Sequence, residues 1–234
     1  MTMYDRSPST DYRPINEFDS GFGWLAHPQE IGMRASHALV GERDRVWLFD
    51  PLEAFGIEDE LETFGEVAGV VVCSDYHARD AGTFARRYDV PVFVPPWSDR
   101  VPSQLEDVSL EIVDGEIGTS GFSIREASPF PGWSEAVAYR RSDATLYVPD
   151  LLGTAPLYLA GDERLALYLL CRLTPPTAAF AGIALERILV GHGTGVFDDA
   201  TGALATAFES SRRGFPRTLL TNGGPQLRAL ADAL

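Results

Sequence analysis

The run Val67-Ala-Gly-Val-Val-Val-Cys73 constrains the fold more than any other stretch of this chain. A strand with one wet face alternates polar and apolar residues, so an unbroken β-branched run predicts a strand covered on both faces. Downstream, Arg79–Tyr88 places Ala81, Phe84, Ala85 and Tyr88 at helical spacing. Pro91-Val-Phe-Val94 reads as the next strand. Strand, helix and strand in this order imply a parallel unit with a right-handed crossover.

Around that unit the pattern is mixed. Ser36–Gly41 and Arg45–Asp50, separated by Glu42-Arg43-Asp44, predict a hairpin, and Ile57–Phe64 a helix. Leu110–Val113, Phe122–Glu126, Ala136–Arg140 and Ala144–Val148 alternate like strands. Helices are expected at Asp162–Arg172 and Ala178–Ala184, then a strand at Arg187–Val190, then helices at Asp199–Arg212 and Pro225–Leu234. Residues 1–20, with Ser-Pro-Ser and Tyr-Arg-Pro, read as a loosely ordered leader, and 21–234 as a single α/β domain.

Charge bounds the partners. The chain carries 34 acids against 19 bases, a net charge of −15, and every base is arginine. A nucleic-acid face needs clustered positive charge and an anionic membrane attracts basic segments, so neither partner is expected. A carboxylate-dense surface stays hydrated where salt screens its self-repulsion, which points to a halophilic archaeal source. No apolar run is long enough to span a membrane, the N-terminus lacks the pattern of a secretory signal, and Cys73 and Cys171 form no disulfide framework. A soluble cytoplasmic domain acting on a small molecule is the expectation, with the oligomeric state open.

The chain has four histidines. His77 lies just past the buried run, in Asp75-Tyr-His77-Ala-Arg79-Asp80; His192 follows Arg187–Val190; and Asp150 closes Leu146-Tyr-Val148. All three follow strand C-termini, where open α/β sheets gather their ligand sites. Taken singly, each residue reads as a cap or a loop anchor.

Together with the hairpin ending in Asp50-Pro51, the D-x-H-x-R-D cluster and Val190-Gly-His-Gly193, this order resembles the metallo-β-lactamase-fold superfamily over roughly Ser36 to Phe208. The resemblance implies a four-layer αββα sandwich of two mixed sheets flanked by helices. In that family the cluster reads H-x-H-x-D-H. Asp75 falls on its first histidine, His77 on its second, Arg79 on its aspartate and Asp80 on its last histidine. Ser128-Pro-Phe-Pro-Gly-Trp133 carries no histidine where a middle ligand is expected, whereas Asp150 and His192 match the bridging aspartate and the final histidine. A five-histidine binuclear site cannot form from four histidines.

Arg79 brings a permanent cation to a metal-ligand position. One picture replaces the metal with Arg79, neutralised by Asp75, Asp80 and Asp150. The other keeps a single zinc, iron or manganese ion on His77, Asp150 and His192. Arg79 and the missing histidines weigh toward no cofactor. The functional expectations are a hydrolase of a small ester or thioester, or a non-catalytic binding or structural member whose Arg79 and acids replace the metal centre. His37 and Cys73 are expected to be structural, and His27 a loop residue with no assigned role.

Overall fold

The computed structural model describes residues 2–233, with side chains as far as residue 229. The first sheet begins with β1 (Arg13–Phe18), β2 (Gly21–Leu25), β3 (Ala35–Val40) and β4 (Val46–Phe49). Helix α1 (Ile57–Phe64) leads to β5 (Val67–Val71), helix α2 (Ala81–Tyr88) to β6 (Val92–Val94), and the one-turn α3 (Val101–Gln104) to β7 (Leu110–Ile112). The seven strands lie side by side in chain order. Pairing is antiparallel from β1 to β4 and parallel from β4 to β7.

The second sheet is built from β8 (Phe122–Phe130), β9 (Trp133–Arg140) and β10 (Thr145–Val148). A short pair, β11 (Leu152–Gly153) and β12 (Ala166–Leu167), follows, then β13 (Arg187–Val190) and the long helix α4 (Ala200–Ala233). The order in this sheet is β13-β10-β9-β8, with β13 parallel to β10 and the other pairs antiparallel.

Three buried clusters fill the gaps between four layers. Val46, Leu48, Val70 and Val72 pack with Ile57 and Leu61 of α1 and with Ala81, Phe84 and Ala85 of α2. The alternate residues Trp47, Phe49, Val71 and Cys73 pack with Phe122, Ala136, Ala138 and Tyr147 of the second sheet. On the far side Leu146, Val148, Ile188 and Val190 meet Ala203, Leu204 and Ala207 of α4. The expected four-layer sandwich of two mixed sheets is therefore the observed one. Period-2 side-chain alternation feeds β4 and β5 into both neighbouring layers, which is why the run at 67–73 has no polar position.

Several local expectations fail. The leader is not loosely ordered throughout: Arg13–Phe18 is an edge strand, because its backbone pairs with β2 and Ile15 turns inward. Asp162–Arg172 is not a helix. Leu165, Ala166, Leu167, Tyr168 and Leu169 are all buried, a run without a polar face that supplies β12 and a 3₁₀ turn at Leu170–Arg172. Ala178–Ala184 yields only a 3₁₀ turn at Thr177–Phe180. The two C-terminal helices are one, with Pro216 and Pro225 inside it. The second half is held by Gln226, whose amide bonds the Leu157 carbonyl and the Leu169 N–H. Among the described residues no helix is long and apolar enough to cross a membrane.

Candidate functional site

The site forms where parallel strands of both sheets end. Val148 of β10 and Val190 of β13 are register partners, and Asp150 and His192 each stand two residues further on. In the other sheet Phe49 of β4 pairs with Val71 of β5. Asp50 follows directly after β4, and the loop after β5 carries Ser74, His77 and Arg79. Position 191 admits glycine alone: a Cβ there would crowd the Pro149 carbonyl and stand 2.9 Å from the His77 ring.

Both imidazoles are oriented through Nδ1. His77 Nδ1 lies 2.8 Å from Asp50 Oδ2, and His192 Nδ1 lies 2.7 Å from the Gly32 carbonyl oxygen. These partners only accept, so both Nδ1 atoms carry the proton and both Nε2 atoms of the neutral rings are bare. The bare atoms converge on one carboxylate oxygen, Asp150 Oδ1, at 3.1 Å from His77 and 3.2 Å from His192. In the neutral rings these lone pairs face an anionic oxygen, a contact that a proton on Nε2, the Arg79 guanidinium 3.1 Å from His77 Nε2, or a bound metal ion would relieve. These three residues are 3–8 % exposed and form the metal-competent group among the described residues.

Supporting bonds fix the rest. Ser74 donates to Asp150 Oδ2 at 2.6 Å. Tyr147 donates to Asp50 Oδ2, and the Cys73 N–H to Asp50 Oδ1. Burial alone would raise Asp150, but His77 and His192 hold its carboxyl well below the usual range. Burial and Arg79 oppose charging of His77; Asp150 and Asp50 on either side outweigh them and raise it. Burial lowers His192. Beneath them Glu135, 1 % exposed, accepts from the Leu151 N–H and from Trp133 Nε1, and burial with Asp150 nearby pushes its carboxyl far up.

Of the six predicted site residues, the structure brings four together: His77, Arg79, Asp150 and His192. Asp75 instead accepts from Ser98 Oγ and the N–H groups of Asp99 and Arg100, bracing the turn before α3. Asp80 accepts from the Glu53 N–H at the head of α2. The expected neutralisation of Arg79 by acids also fails. Its guanidinium donates to the carbonyls of Ala35, Asp50 and Gly191, and Nη2 lies 3.1 Å from His77 Nε2. Carbonyl oxygens at three strand ends surround it more closely than any carboxylate, and φ of 39° at Arg79 turns the side chain toward them.

The other expectations are simply placed. His37 is fully buried in β3 against the Val190 carbonyl, and burial lowers it to about 4. Cys73 and Cys171 are buried, which raises both thiols. His27 lines a separate groove beside residues 7–14. Sequence reasoning missed Asp50, Ser74, Tyr147 and Glu135 as supports; the strand-end rule that found Asp150 applies equally to Asp50. It also missed Tyr4, whose ring packs against His192 from the N-terminal segment, and nothing in the local sequence marks it.

A cavity of about 180 Å³ opens over His77, Asp150 and His192. Neither a protein-family model nor a curated protein matches the sequence. Solved structures do match in shape. The metallo-β-lactamase FIM-1 from Pseudomonas aeruginosa in its mono-zinc form is 12% identical with a TM-score of 0.57, over 90% of this chain and 99% of that one. A metallo-β-lactamase from Pontibacter korlensis is 13% identical with a TM-score of 0.56, over 85% and 99%. The metal-soaked Flv1 flavodiiron core from Synechocystis is 13% identical with a TM-score of 0.63, over 88% of this chain and 62% of that one. At these identities the likeness is one of architecture, and it agrees with the layers and strand ends described above: the chain has the metallo-β-lactamase fold.

Proposed function

We propose that this chain is a hydrolase-like protein of the metallo-β-lactamase fold that works with one divalent ion on His77, Asp150 and His192, not with a binuclear centre. The observation that carries the reading is the convergence of two imidazole Nε2 atoms on Asp150 Oδ1 at 3.1 and 3.2 Å. A tetrahedral ion with bonds of about 2.0–2.1 Å separates its ligands by roughly 3.3 Å, so both histidine–carboxylate spacings fit. Asp50 and the Gly32 carbonyl supply the outer contacts that such histidines need. Zinc, iron and manganese all accept this two-imidazole, one-carboxylate set. Bound there, the ion would supply Lewis acidity and an acidified water for cleaving a small ester or thioester.

The protein's own residues do the remainder. Ser74 keeps Asp150 turned toward the histidines, and Arg79 places a permanent positive charge beside His77 where the family pattern has a metal ligand. That charge substitutes for a second ion in drawing substrate oxygen into the pocket. Asp75 and Asp80 have no part in it. The acid-rich, lysine-free composition supports a halophilic archaeal and cytoplasmic setting, so the assays belong in molar potassium chloride.

One contact favours a second reading. Arg79 Nη2 can donate to His77 Nε2, the same lone pair an ion would take, which suits a non-catalytic binding pocket with the guanidinium as its cation. Metal analysis of protein purified without a chelating tag decides between them. About one equivalent of ion is expected. A content near zero that persists after exposure to zinc, manganese and iron would sink the metal reading and leave the second.

A further inference from the structure

The charged groups that line the cavity are already engaged. Buried Glu30 takes Nε and Nη2 of Arg34 at 2.9 and 2.8 Å. Arg79 gives Nη1 to two carbonyls and Nη2 to a third, with His77 Nε2 beside it. Asp150 meets both imidazoles through Oδ1 and Ser74 through Oδ2. Arg6, at the rim, has a partner too. A charged ligand entering here would lose water without gaining a free counter-charge, which is costly.

Much of the remaining wall is ring surface. Tyr158 stacks on His192 with ring centroids 5.8 Å apart, and Trp133 lies 5.4 Å from Tyr168. The polar atoms of these rings are bonded within the protein. Tyr158 donates its hydroxyl to the Asp150 carbonyl, Tyr168 to the Gln226 carbonyl, and Trp133 Nε1 to Glu135. A cavity of about 150 Å³ accommodates benzene, so about 180 Å³ takes one ring with a short substituent.

Two hydroxyls of the wall, those of Tyr4 and Tyr76, make no hydrogen bond to a described residue. Tyr76 packs beside Trp133 and beneath Arg100. Tyr4 stands over the site: its ring centroid is 6.2 Å from that of His192, and Asp150 and Arg79 are the charges that act most strongly on its hydroxyl. The segment that carries it is fixed, because the Thr2 and Met3 carbonyls each accept, at 3.0 Å, from Ile31 and Gly32. A phenol is a donor at neutral pH, so Tyr4 offers the cavity one proton for an oxygen.

We propose that this pocket receives an uncharged, flat single ring bearing a carbonyl group, its ring against Tyr158, Trp133 and Tyr168 and its carbonyl oxygen on the Tyr4 hydroxyl. In the hydrolytic reading the substrate is then an ester or thioester of an aromatic acid; the inference rests on that reading only for the bond that is cut. Aromatic walls select for flatness, and the phenol selects for an acceptor.

Calorimetric titration with acetophenone, which has no bond to hydrolyse, tests this on the protein as purified. Acetophenone should bind about tenfold more tightly than benzoate, whose charge finds no free partner. It should bind roughly threefold or more above cyclohexyl methyl ketone, the saturated analogue. Tyr4→Phe should weaken acetophenone about fivefold, leave toluene unchanged and keep the thermal transition, because the lost hydroxyl bonds nothing in the protein. No binding of acetophenone, benzoate or the saturated ketone matching it, or an unaltered affinity in Tyr4→Phe would overturn the proposal. Metal content decides the hydrolytic reading separately, so either can fail while the other stands.

Discussion

Two arginines inside this molecule keep opposite company. Arg172, 1 % exposed, meets Glu163 through two parallel bonds of 2.7 and 2.8 Å and also donates to the carbonyls of Leu167 and Tyr158. Arg79 donates to three carbonyls and faces a histidine nitrogen, with no carboxylate in ion-pair contact among the described residues. The first is a neutralised pair that ties β12 and its following turn to the 158–163 loop. The second meets the acids of its surroundings only through His77, which stands between it and the carboxylates of Asp50 and Asp150. A buried cation matched by an acid is a structural device; one left unmatched at a cavity wall is available to chemistry.

Arg172→Met should give the largest effect, because it strands Glu163 and two carbonyls. About 3 kcal/mol of stability should be lost, read as a lower urea midpoint. A loss below about 1 kcal/mol would erase the contrast with Arg79. Arg79→Ala should cost less stability than Arg172→Met and raise zinc affinity at least tenfold, about 1.4 kcal/mol, in a competition titration. Unchanged affinity would mean that Nη2 does not compete for the His77 lone pair.

Acid titration sharpens the comparison further. Burial would raise Glu163, but bonds from Arg172 outweigh it and hold the carboxyl below its usual value; Asp143 is held low in the same way by Arg140. A carboxyl whose folded pKa lies below its unfolded one stabilises the fold above the unfolded value and loses that contribution as pH falls through the folded value. Stability should therefore drop below about pH 4, the unfolded range of these groups. Arg172→Met should flatten that drop, and Arg79→Ala should leave it steep. Asp75→Asn and Asp80→Asn should do least, each within about 1 kcal/mol and with zinc affinity unaltered. Lost affinity in either would return that acid to the site.

Much of the frame was legible from local pattern. The apolar run at 67–73, the helical spacing of Ala81, Phe84 and Ala85, and the hairpin at 36–50 each carry their periodicity within a few residues. Two signals misled. Leu165–Leu169 is apolar enough for a helix but is buried all round, and the stretch left between the expected helices at Asp199–Arg212 and Pro225–Leu234 is part of one helix that long-range contacts hold together. In the site, His77, Asp150 and His192 were legible because they follow strand ends. Asp75 and Asp80 share that neighbourhood in sequence, yet their side chains serve the backbone of the 98–100 and 53 segments.

The sequence by itself determined the buried strands and the strand-end side chains, since alternation and strand termini are properties of adjacent residues, while the four layers followed from the family resemblance. Only the tertiary structure decided which atoms meet. The in-register pairing of Val148 with Val190, the Asp50 contact across 27 residues and the Gly32 contact across 160 set both imidazoles toward Asp150 Oδ1. The same long-range closure brought Arg79 to backbone oxygens instead of acids and carried Tyr4 and Arg6 to the cavity. Proton positions, lone-pair directions and charge balance depend on such contacts, and no local pattern encodes them.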